Sequence, residues 1–326
     1  MSDTDEDIFS DVGLEETLEE DEVKFSILTQ ETISQGLSLL SQTGNGLGHA
    51  FIKLDLNDKQ LNDITALSSY VHLRFLDVSN NHITNLSPLA SLTHLLWLKV
   101  DNNALTSLKG QPFAQLRYLQ WLSIAGNHIT DPDGLVGPSL ERLILSGNDI
   151  QKVSGLHSGF FMNLVSLELR GNQLETTDGI SLPKLQRLYL AQNVIKRLEG
   201  LEKLENLTTL HLRDNELDSL DGLNPNMKSL QYLNVRGNAI LDKTALQSLI
   251  HVSNTLRALV ISENPVVDAA DYRVNVLILL PQLERLDKEH VSPEERAEAQ
   301  DMIKVKISKL IFVTGQTATA LCLRLC

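Results

Sequence analysis

The residues of this chain that are able to do acid–base or metal chemistry are few and scattered. His211 and Asp214 lie close in sequence, and an imidazole beside a carboxylate is a pairing that general-base catalysis uses. No nucleophile motif such as G-x-S-x-G accompanies them, and none of the 9 histidines forms a metal-like pair with another histidine or a cysteine. The sequence therefore predicts no catalytic residue, metal site, cofactor or small-molecule substrate, and we expect His211 to be a contact residue.

Residue types suited to binding another protein are more prominent. The chain has 2 tryptophans, Trp97 and Trp121, and aromatic and arginine side chains are typical anchors of protein interfaces. The other candidate binding residues are Phe75, Arg142, Arg170, Arg187, Tyr189, Arg213, Tyr232 and Arg236. Whether these side chains form one surface depends on the elements that position them.

One motif, L-x-x-L-x-L-x-x-N-x-L, recurs along the chain. Nine copies match, from LRFLDVSNNHI to LRALVISENPV, and a degenerate first copy, FIKLDLNDKQL, has Lys59 in the asparagine position. The asparagine positions are 21 to 26 residues apart, which is the spacing of leucine-rich repeats. We therefore predict an α/β leucine-rich-repeat solenoid over residues 51–264, with about ten repeats of the short 22-residue type and a parallel sheet on its concave side.

The motif also predicts which side chains are structural. In each x-L-x-L-x segment the two leucines point into the core and the intervening residues point to the concave side. The asparagine amide both donates and accepts, so we expect it to pair buried backbone groups of the turn. The predicted structural ladder is Asn81, Asn103, Asn127, Asn148, Asn172, Asn193, Asn215, Asn238 and Asn264.

Two features of the concave side follow from this alternation. Phe75, Trp97 and Trp121 occupy equivalent positions in adjacent repeats, which predicts an aromatic ladder exposed to a partner. The alternative is that the ladder packs on its own neighbours or on a terminal segment. The second half of the face carries a stripe of five arginines, and the alternative to partner binding is ion pairing within the surface.

The charge of the chain is concentrated at its N-terminus. The net charge is −14, and residues 1–22 contain 11 Asp or Glu and no Lys or Arg, so we predict an acidic disordered tail over residues 1–24. The body is close to charge balance, which argues against a nucleic-acid-coating protein. The sequence shows no signal peptide and no apolar run of membrane-spanning length, and its 2 cysteines lie in the last five residues. A cytoplasmic protein is therefore expected.

Helical caps are predicted at both ends of the solenoid, because stacked repeats expose core leucines there. The N-terminal cap (residues 25–50) is predicted as a helix from Thr29 to Gly44, with TGNGLGH as its terminating turn. The C-terminal cap (residues 265–290) is predicted as an amphipathic helix to about Leu280, followed by the buried pair Leu283 and Leu286. Residues 291–326 are predicted to form a helix with Ser292 as N-cap, until IFVTGQTATALCLRLC breaks the pattern.

Several stretches resemble a family of leucine-rich-repeat proteins associated with the radial spokes of motile cilia and sperm flagella. They include GLSLLSQTGNGLGHAFIKL, LTHLLWLK, LELRGNQLETTDGISLPKLQRLYLAQN, NLTTLHLRDN, MKSLQYLNVRGN and LERLDKE, within residues 30–300. The resemblance implies a non-enzymatic adaptor of the axoneme, needed for motility, whose partners are radial spoke head components. Family members usually continue as a charged helical extension, from which residues 305–326 depart.

Two other functions of short-repeat solenoids remain open from the residues alone. One is regulation of a protein phosphatase catalytic subunit, which also uses concave aromatic and acidic residues. The other is RNA binding through the arginine stripe, which an isoelectric point near 5.1 disfavours.

Overall fold

The computed structural model describes residues 26–44 and 46–314. The predicted acidic tail and the last part of the chain, residues 315–326, lie outside these described residues. The described part contains one long sheet, short 3₁₀ helices on its outer side and three α-helices, which are α1 (Gln30–Gly36), α2 (Tyr272–Leu279) and α3 (Pro293–Thr314).

The sheet has 13 strands, and their order in space follows their order in the chain. Strands β2 to β12 are parallel, whereas the two outermost strands, β1 and β13, are each antiparallel to their neighbour. The strands are β1 (Leu37–Gln42), β2 (His49–Asp55), β3 (Phe75–Asp77), β4 (Trp97–Lys99), β5 (Trp121–Ser123), β6 (Arg142–Ile144), β7 (Ser166–Glu168), β8 (Arg187–Tyr189), β9 (Thr209–His211), β10 (Tyr232–Asn234), β11 (Ala258–Val260), β12 (Arg285–Leu286) and β13 (Glu289–His290).

The leucines of successive repeats stack into one continuous core. In β4, for example, Leu98 is fully buried while its neighbours Trp97 and Lys99 are only partly covered. The same alternation holds in β9, where Leu210 is buried between Thr209 and His211. No repeat is able to bury these side chains alone, so the stacking of repeats stabilises the fold. The predicted leucine-rich-repeat solenoid is confirmed.

The outer side of the solenoid consists of turns and short 3₁₀ helices, formed by the I/L-x-x-L-x-x-L segments that follow the motif asparagines. Each of these 3₁₀ helices buries an apolar side chain against the core, such as Leu67, Leu89 or Phe113. The 3₁₀ helices are Thr65–Ser69, Ser87–Ser91, Pro112–Ala114, Leu201–Lys203, Lys243–Val252 and Pro265–Asp268.

A left-handed residue precedes the asparagine position of every repeat, and the repeat motif alone does not predict it. Its φ lies between 52° and 66°, a region that glycine adopts without cost and other residues adopt at about 1–2 kcal/mol. This conformation turns the chain out of the strand, and the residues that adopt it are Asp58, Asn80, Asn102, Gly126, Gly147, Gly171, Gln192, Asp214, Gly237 and Glu263.

The N-terminal end of the solenoid is covered by a helix and a β-hairpin, so the prediction of one helix from Thr29 to Gly44 is wrong. Thr29 does cap α1, accepting the Thr32 amide at 3.1 Å, and Ile33 is fully buried as expected. The helix ends at Gly36 because the following backbone pairs with β2. Thr43, Gly44 and residues 46–48 lie in the loop of this hairpin. Leu39 and Leu40 consequently lie in β1, where their side chains are exposed.

The C-terminal end is covered by α2 and α3. The helix predicted to follow Asn264 begins only at Tyr272, after the 3₁₀ helix Pro265–Asp268, whereas Leu283 and Leu286 are fully buried as predicted. Helix α3 continues to Thr314, four residues into the stretch that was expected to break it. Its start is a capping box, in which Ser292 Oγ accepts the Glu295 amide at 3.2 Å and Glu295 Oε2 accepts the Ser292 amide at 2.9 Å.

Candidate protein-interaction surface

The parallel register places the concave side chains in two rows. Row A contains the residue before the central buried leucine of each strand from β2 to β11, and row B contains the residue after that leucine. Each member pairs with its equivalent on the next strand. Row A is Lys53, Phe75, Trp97, Trp121, Arg142, Ser166, Arg187, Thr209, Tyr232 and Ala258. Row B is Asp55, Asp77, Lys99, Ser123, Ile144, Glu168, Tyr189, His211, Asn234 and Val260.

The two tryptophans lie side by side in row A and stack on each other. Their ring centroids are 4.5 Å apart and the ring planes differ by 11°. Phe75 is in register with Trp97 on the neighbouring strand, and all three side chains are half-buried. Each indole therefore covers part of the other, so the ladder does pack in part on its own neighbours. Both indoles nevertheless keep apolar area exposed on the concave side.

The concave side next to the tryptophans is acidic with one central cation. Lys99 Nζ lies 3.8 Å from Asp77 Oδ2 and 3.7 Å from Asp101 Oδ2. Asp101 is also fixed by the next repeat, because its Oδ1 accepts the Ser123 hydroxyl at 2.5 Å and the Ala125 amide at 2.8 Å. These contacts fix the positions of the Asp77 and Asp101 carboxylates beside the indole pair.

A second aromatic group lies further along the face, centred on His211, which was predicted to be a contact residue but not to stack between tyrosines. The His211 ring lies 4.9 Å from the rings of both Tyr189 and Tyr232. Burial between these rings lowers the pKa of His211 below its usual value, so the imidazole is neutral at pH 7. The sequence does contain the pattern that places these rings together. Tyr189 and His211 are neighbours in row B, and Tyr232 is diagonal to His211.

Part of the arginine stripe is already paired within the surface. Arg142 Nη2 lies 2.5 Å from Glu168 Oε1, and Arg236 forms a two-point pair with Glu263, with Nε 2.7 Å from Oε2. The hydrogen bond from the Arg236 guanidinium holds the pKa of Glu263 below its ordinary value. Ion pairing among repeats, the alternative to partner binding, therefore accounts for part of the stripe.

Three arginines keep donor groups available. Arg213 Nε is 3.0 Å from the carboxylate of its neighbour Asp214, and Arg170 Nε donates to the neutral Gln192 Oε1 at 2.9 Å. Arg187 is exposed and has no ion pair or side-chain hydrogen bond among the described residues. Arg170 and Arg213, with Tyr189 and His211, line an open depression of about 470 Å³.

The motif asparagines lie behind this surface and bind adjacent repeats together. Asn172 is representative: its Oδ1 accepts the Ile150 amide of the preceding repeat at 3.1 Å, and its Nδ2 donates to Leu145 O at 3.0 Å and Leu169 O at 3.0 Å. Equivalent bonds are made by Asn81, Asn103, Asn127, Asn148, Asn193, Asn215, Asn238 and Asn264. All nine are buried except Asn238, which is half-buried.

The described residues show neither a metal-binding cluster nor a membrane-spanning helix. They contain no group of three or more His, Cys, Asp or Glu side chains arranged to hold a metal ion. Within the same part of the chain, none of the helices is both long enough and apolar enough to cross a bilayer.

Family models and known proteins agree on the architecture. Two leucine-rich-repeat family models match residues 71–129 and 157–313. Among solved structures, the TLR13–ssRNA13 complex is similar with a TM-score of 0.59 and 25% identity, over 72% of this chain and 35% of that chain. An InlJ domain from Listeria monocytogenes gives a TM-score of 0.52 at 22% identity, over 76% of this chain and 57% of that chain.

Curated relatives are much more similar in sequence. Leucine-rich repeat-containing protein 23 of Bos taurus is 53% identical over 84% of this chain and 79% of its own length. The Homo sapiens protein of the same name is 53% identical over 86% of this chain and 81% of its own length. Since this identity extends over most of both sequences, the chain belongs to the leucine-rich repeat-containing protein 23 family.

Proposed function

We propose that this protein is a non-enzymatic adaptor that binds other proteins through its concave face, as a radial spoke component of the ciliary and flagellar axoneme needed for motility. The placement in the axoneme, the spoke head partners and the cytoskeletal location rest on the family resemblance. The binding mode rests on the concave rows.

The stacked pair of Trp97 and Trp121 is the observation that carries the binding proposal. A tryptophan side chain buries about 150–250 Å² when fully covered, which at about 25 cal/mol per Å² is several kcal/mol. Both indoles are only half-buried, so this chain leaves part of that free energy for a partner to recover. Their mutual stacking fixes the rings in advance, which reduces the ordering cost of binding.

The surrounding charges give the same site its specificity. Lys99, Asp77 and Asp101 lie on one side of the indole pair, and Arg142 follows Trp121 in row A. An apolar centre with a charged rim is the usual composition of a protein interface. A partner surface with an apolar anchor between complementary charges fits this arrangement.

A pull-down from solubilised axonemes tests the binding mode. The double variant Trp97→Ala/Trp121→Ala is expected to retain at least tenfold less of the spoke head proteins, because it removes the apolar anchor. The fold should persist, since both side chains point away from the leucine core. The matched control is Tyr118→Ala/Phe160→Ala, which removes two exposed aromatic side chains that lie outside the two concave rows. Equal retention by both variants would show that the indole pair is not the anchor.

Cell fractionation tests the placement separately. The protein is expected to pellet with axonemes and to resist detergent extraction in ciliated cells. A fully detergent-soluble protein in those cells would contradict the axonemal role and leave the binding mode to be tested with other partners. Recovery of a phosphatase catalytic subunit, or RNA binding that weakens steeply with salt, would favour one of the two other solenoid functions.

A further inference from the structure

The C-terminal half of the concave face combines free arginine donors with an aromatic floor. Arg187 precedes the floor in row A, and Arg170 and Arg213 lie beyond the C-terminal ends of their strands. Tyr189, His211 and Tyr232 stack between them. The five arginines of the stripe face three carboxylates, so this half carries a net positive charge of about two, with His211 neutral.

We propose that the occupant of this surface in the free protein is the acidic N-terminal segment of the same chain, with residues 3–7 on Arg170, Arg187 and Arg213. Residues 3–7 contain four carboxylates and no basic residue, and Ile8 and Phe9 follow directly. The carboxylates match the available guanidinium donors, and the two apolar side chains match the exposed area of the Tyr189–His211–Tyr232 stack.

The anchor point of the segment lies on the correct side of the sheet. The amide of Ser26 donates to Gln60 O at 2.9 Å, and Ser26 forms a parallel bridge with Leu61. Gln60 follows the C-terminal end of β2, and Arg170 and Arg213 follow the C-terminal ends of β7 and β9. The segment therefore leaves the solenoid along the edge on which two of the three target arginines lie.

The length of the segment fits the distance. From β2 to β8 the sheet advances by six strand spacings, or about 29 Å at about 4.8 Å each. The disordered tail that the composition predicts would have a root-mean-square span of about 23–25 Å over the 19 to 23 residues between residues 3–7 and Ser26. A tether whose natural span is close to the distance gives an effective concentration in the millimolar range, which makes weak contacts significant.

Docking of this segment has a consequence for partners. A partner that uses the arginine surface must displace residues 3–7, so the segment raises the selectivity of the concave face for partners more acidic or more apolar than itself. The Trp97–Trp121 pair lies on the other half of the face and stays accessible. The inference depends on the chemistry of this face and not on the partner assigned under the proposed function.

Paramagnetic relaxation in the full-length chain tests the proposal directly. A spin label is attached through Ser10→Cys in a background with Cys322→Ser and Cys326→Ser, and the resonances of Tyr189, His211 and Arg213 are observed. We expect strong attenuation at low ionic strength and recovery in about 0.5 M salt, where the screening length falls to a few ångströms. Mixing labelled with isotope-enriched unlabelled chains separates contacts within one chain from contacts between chains.

Two matched pairs of variants decide the outcome. Neutralising the carboxylates of residues 3–7 is expected to abolish the attenuation. Neutralising those of residues 19–22 changes the net charge by the same amount and is expected to preserve it. The first set is Asp3→Asn, Asp5→Asn, Glu6→Gln and Asp7→Asn, and the second is Glu19→Gln, Glu20→Gln, Asp21→Asn and Glu22→Gln. Arg187→Gln is expected to weaken it at least threefold, whereas Arg117→Gln, an exposed arginine outside the concave rows, is expected to leave it unchanged.

Three results would overturn the proposal. They are attenuation centred on Trp97 and Trp121, attenuation that responds equally to both neutralised segments, and attenuation seen only between different chains. The last result identifies a second copy of the chain as the occupant. None of these results bears on retention of axonemal partners by the indole pair, so the proposed function stands or falls separately.

Discussion

At the scale of single residues, the motif asparagines are the polar side chains whose hydrogen bonds should contribute most to the stability of the fold. Each saturates its amide with backbone groups of its own repeat and the preceding one, in a part of the fold from which water is excluded. Burying an unpaired polar group costs about 1–3 kcal/mol. The asparagines therefore act as connectors between repeats.

Substitution of Asn172 measures this contribution. Asn172→Ala leaves the Ile150 amide and the Leu145 and Leu169 carbonyls without their present partner, so we expect the free energy of unfolding to fall by about 3 kcal/mol or more. Urea unfolding followed by circular dichroism provides the measurement. Gln173→Ala, at the exposed neighbouring position, is the control and should change stability by less than about 0.5 kcal/mol. A loss of similar size in both variants would contradict the buried-connector role.

His211 makes the stability of the folded protein depend on pH, and the burial of its ring fixes the sign of that dependence. Its pKa is lowered in the folded protein, so the unfolded chain binds the proton more tightly. The stability that comes from burying the neutral ring is complete above the unfolded pKa of about 6.5 and is lost as the pH falls below it. We expect His211→Phe, which keeps a ring between Tyr189 and Tyr232, to flatten the fall in stability between about pH 6.5 and pH 5.

Thermal unfolding across this pH range checks the prediction. Wild type and His211→Phe should show similar pH dependence above pH 7 and diverge on acidification, with wild type losing more. A variant that follows wild type at every pH would show that the imidazole does not titrate between the tyrosines.

At the scale of elements, helix α3 is attached to the solenoid by a small number of polar contacts. Arg296 donates to Pro281 O at 2.8 Å and Leu283 O at 2.6 Å, and Arg273 Nε lies 2.6 Å from Glu295 Oε1. The Arg273 guanidinium holds the pKa of Glu295 below its ordinary value. Ala299 is buried against the same end of the core. Together these contacts close the last repeat.

Removing the Arg296 contacts should release the start of α3. Arg296→Ala leaves two carbonyls without their donor, and we expect amide protection in the first turns of α3 to fall by about tenfold or more, since a net hydrogen bond is worth about 1 kcal/mol. Hydrogen exchange read by mass spectrometry provides the measurement. Lys304→Ala removes an exposed pair with Asp301 on the same helix and should leave the protection unchanged.

The sequence predicted the repeating elements better than the ends, and the reason is physical. Periodic leucines specify strand register over many repeats, so rows A and B follow from the motif alone. The stretch from Leu37 to Gln42 has no such repetition, and its backbone takes its conformation from pairing with β2. The contact of His211 with Tyr232 also escaped prediction, because it crosses diagonally between adjacent repeats, whereas the alignment compares equivalent positions.

At the scale of the whole molecule, stability is distributed along a line. Each repeat packs only on its neighbours, so coupling between distant repeats passes through every layer between them. The core runs without interruption from Leu28 to Ala299. A destabilising substitution in a central repeat should consequently let the two halves of the solenoid unfold separately. A destabilising substitution in a terminal repeat should unfold only the repeats at that end.

Two leucine substitutions distinguish these cases. Leu188→Ala in β8 should cost about 2–5 kcal/mol and divide denaturant unfolding into separate transitions of the N-terminal and C-terminal repeats. Leu286→Ala in β12 should lower amide protection in the last repeats alone. Pulsed hydrogen exchange resolves the two patterns. Uniform loss of protection along the chain in both variants would show that the repeats unfold as one unit.

The reversed direction of β1 and β13 gives the molecule a defined length. A further repeat joining either end would meet an antiparallel strand instead of the strand, turn and asparagine that each internal repeat offers its neighbour. The distance from β2 to β12, about 48 Å for ten strand spacings, is therefore set by the chain itself. Proteins bound near the two ends of the sheet would therefore be held at a constant separation.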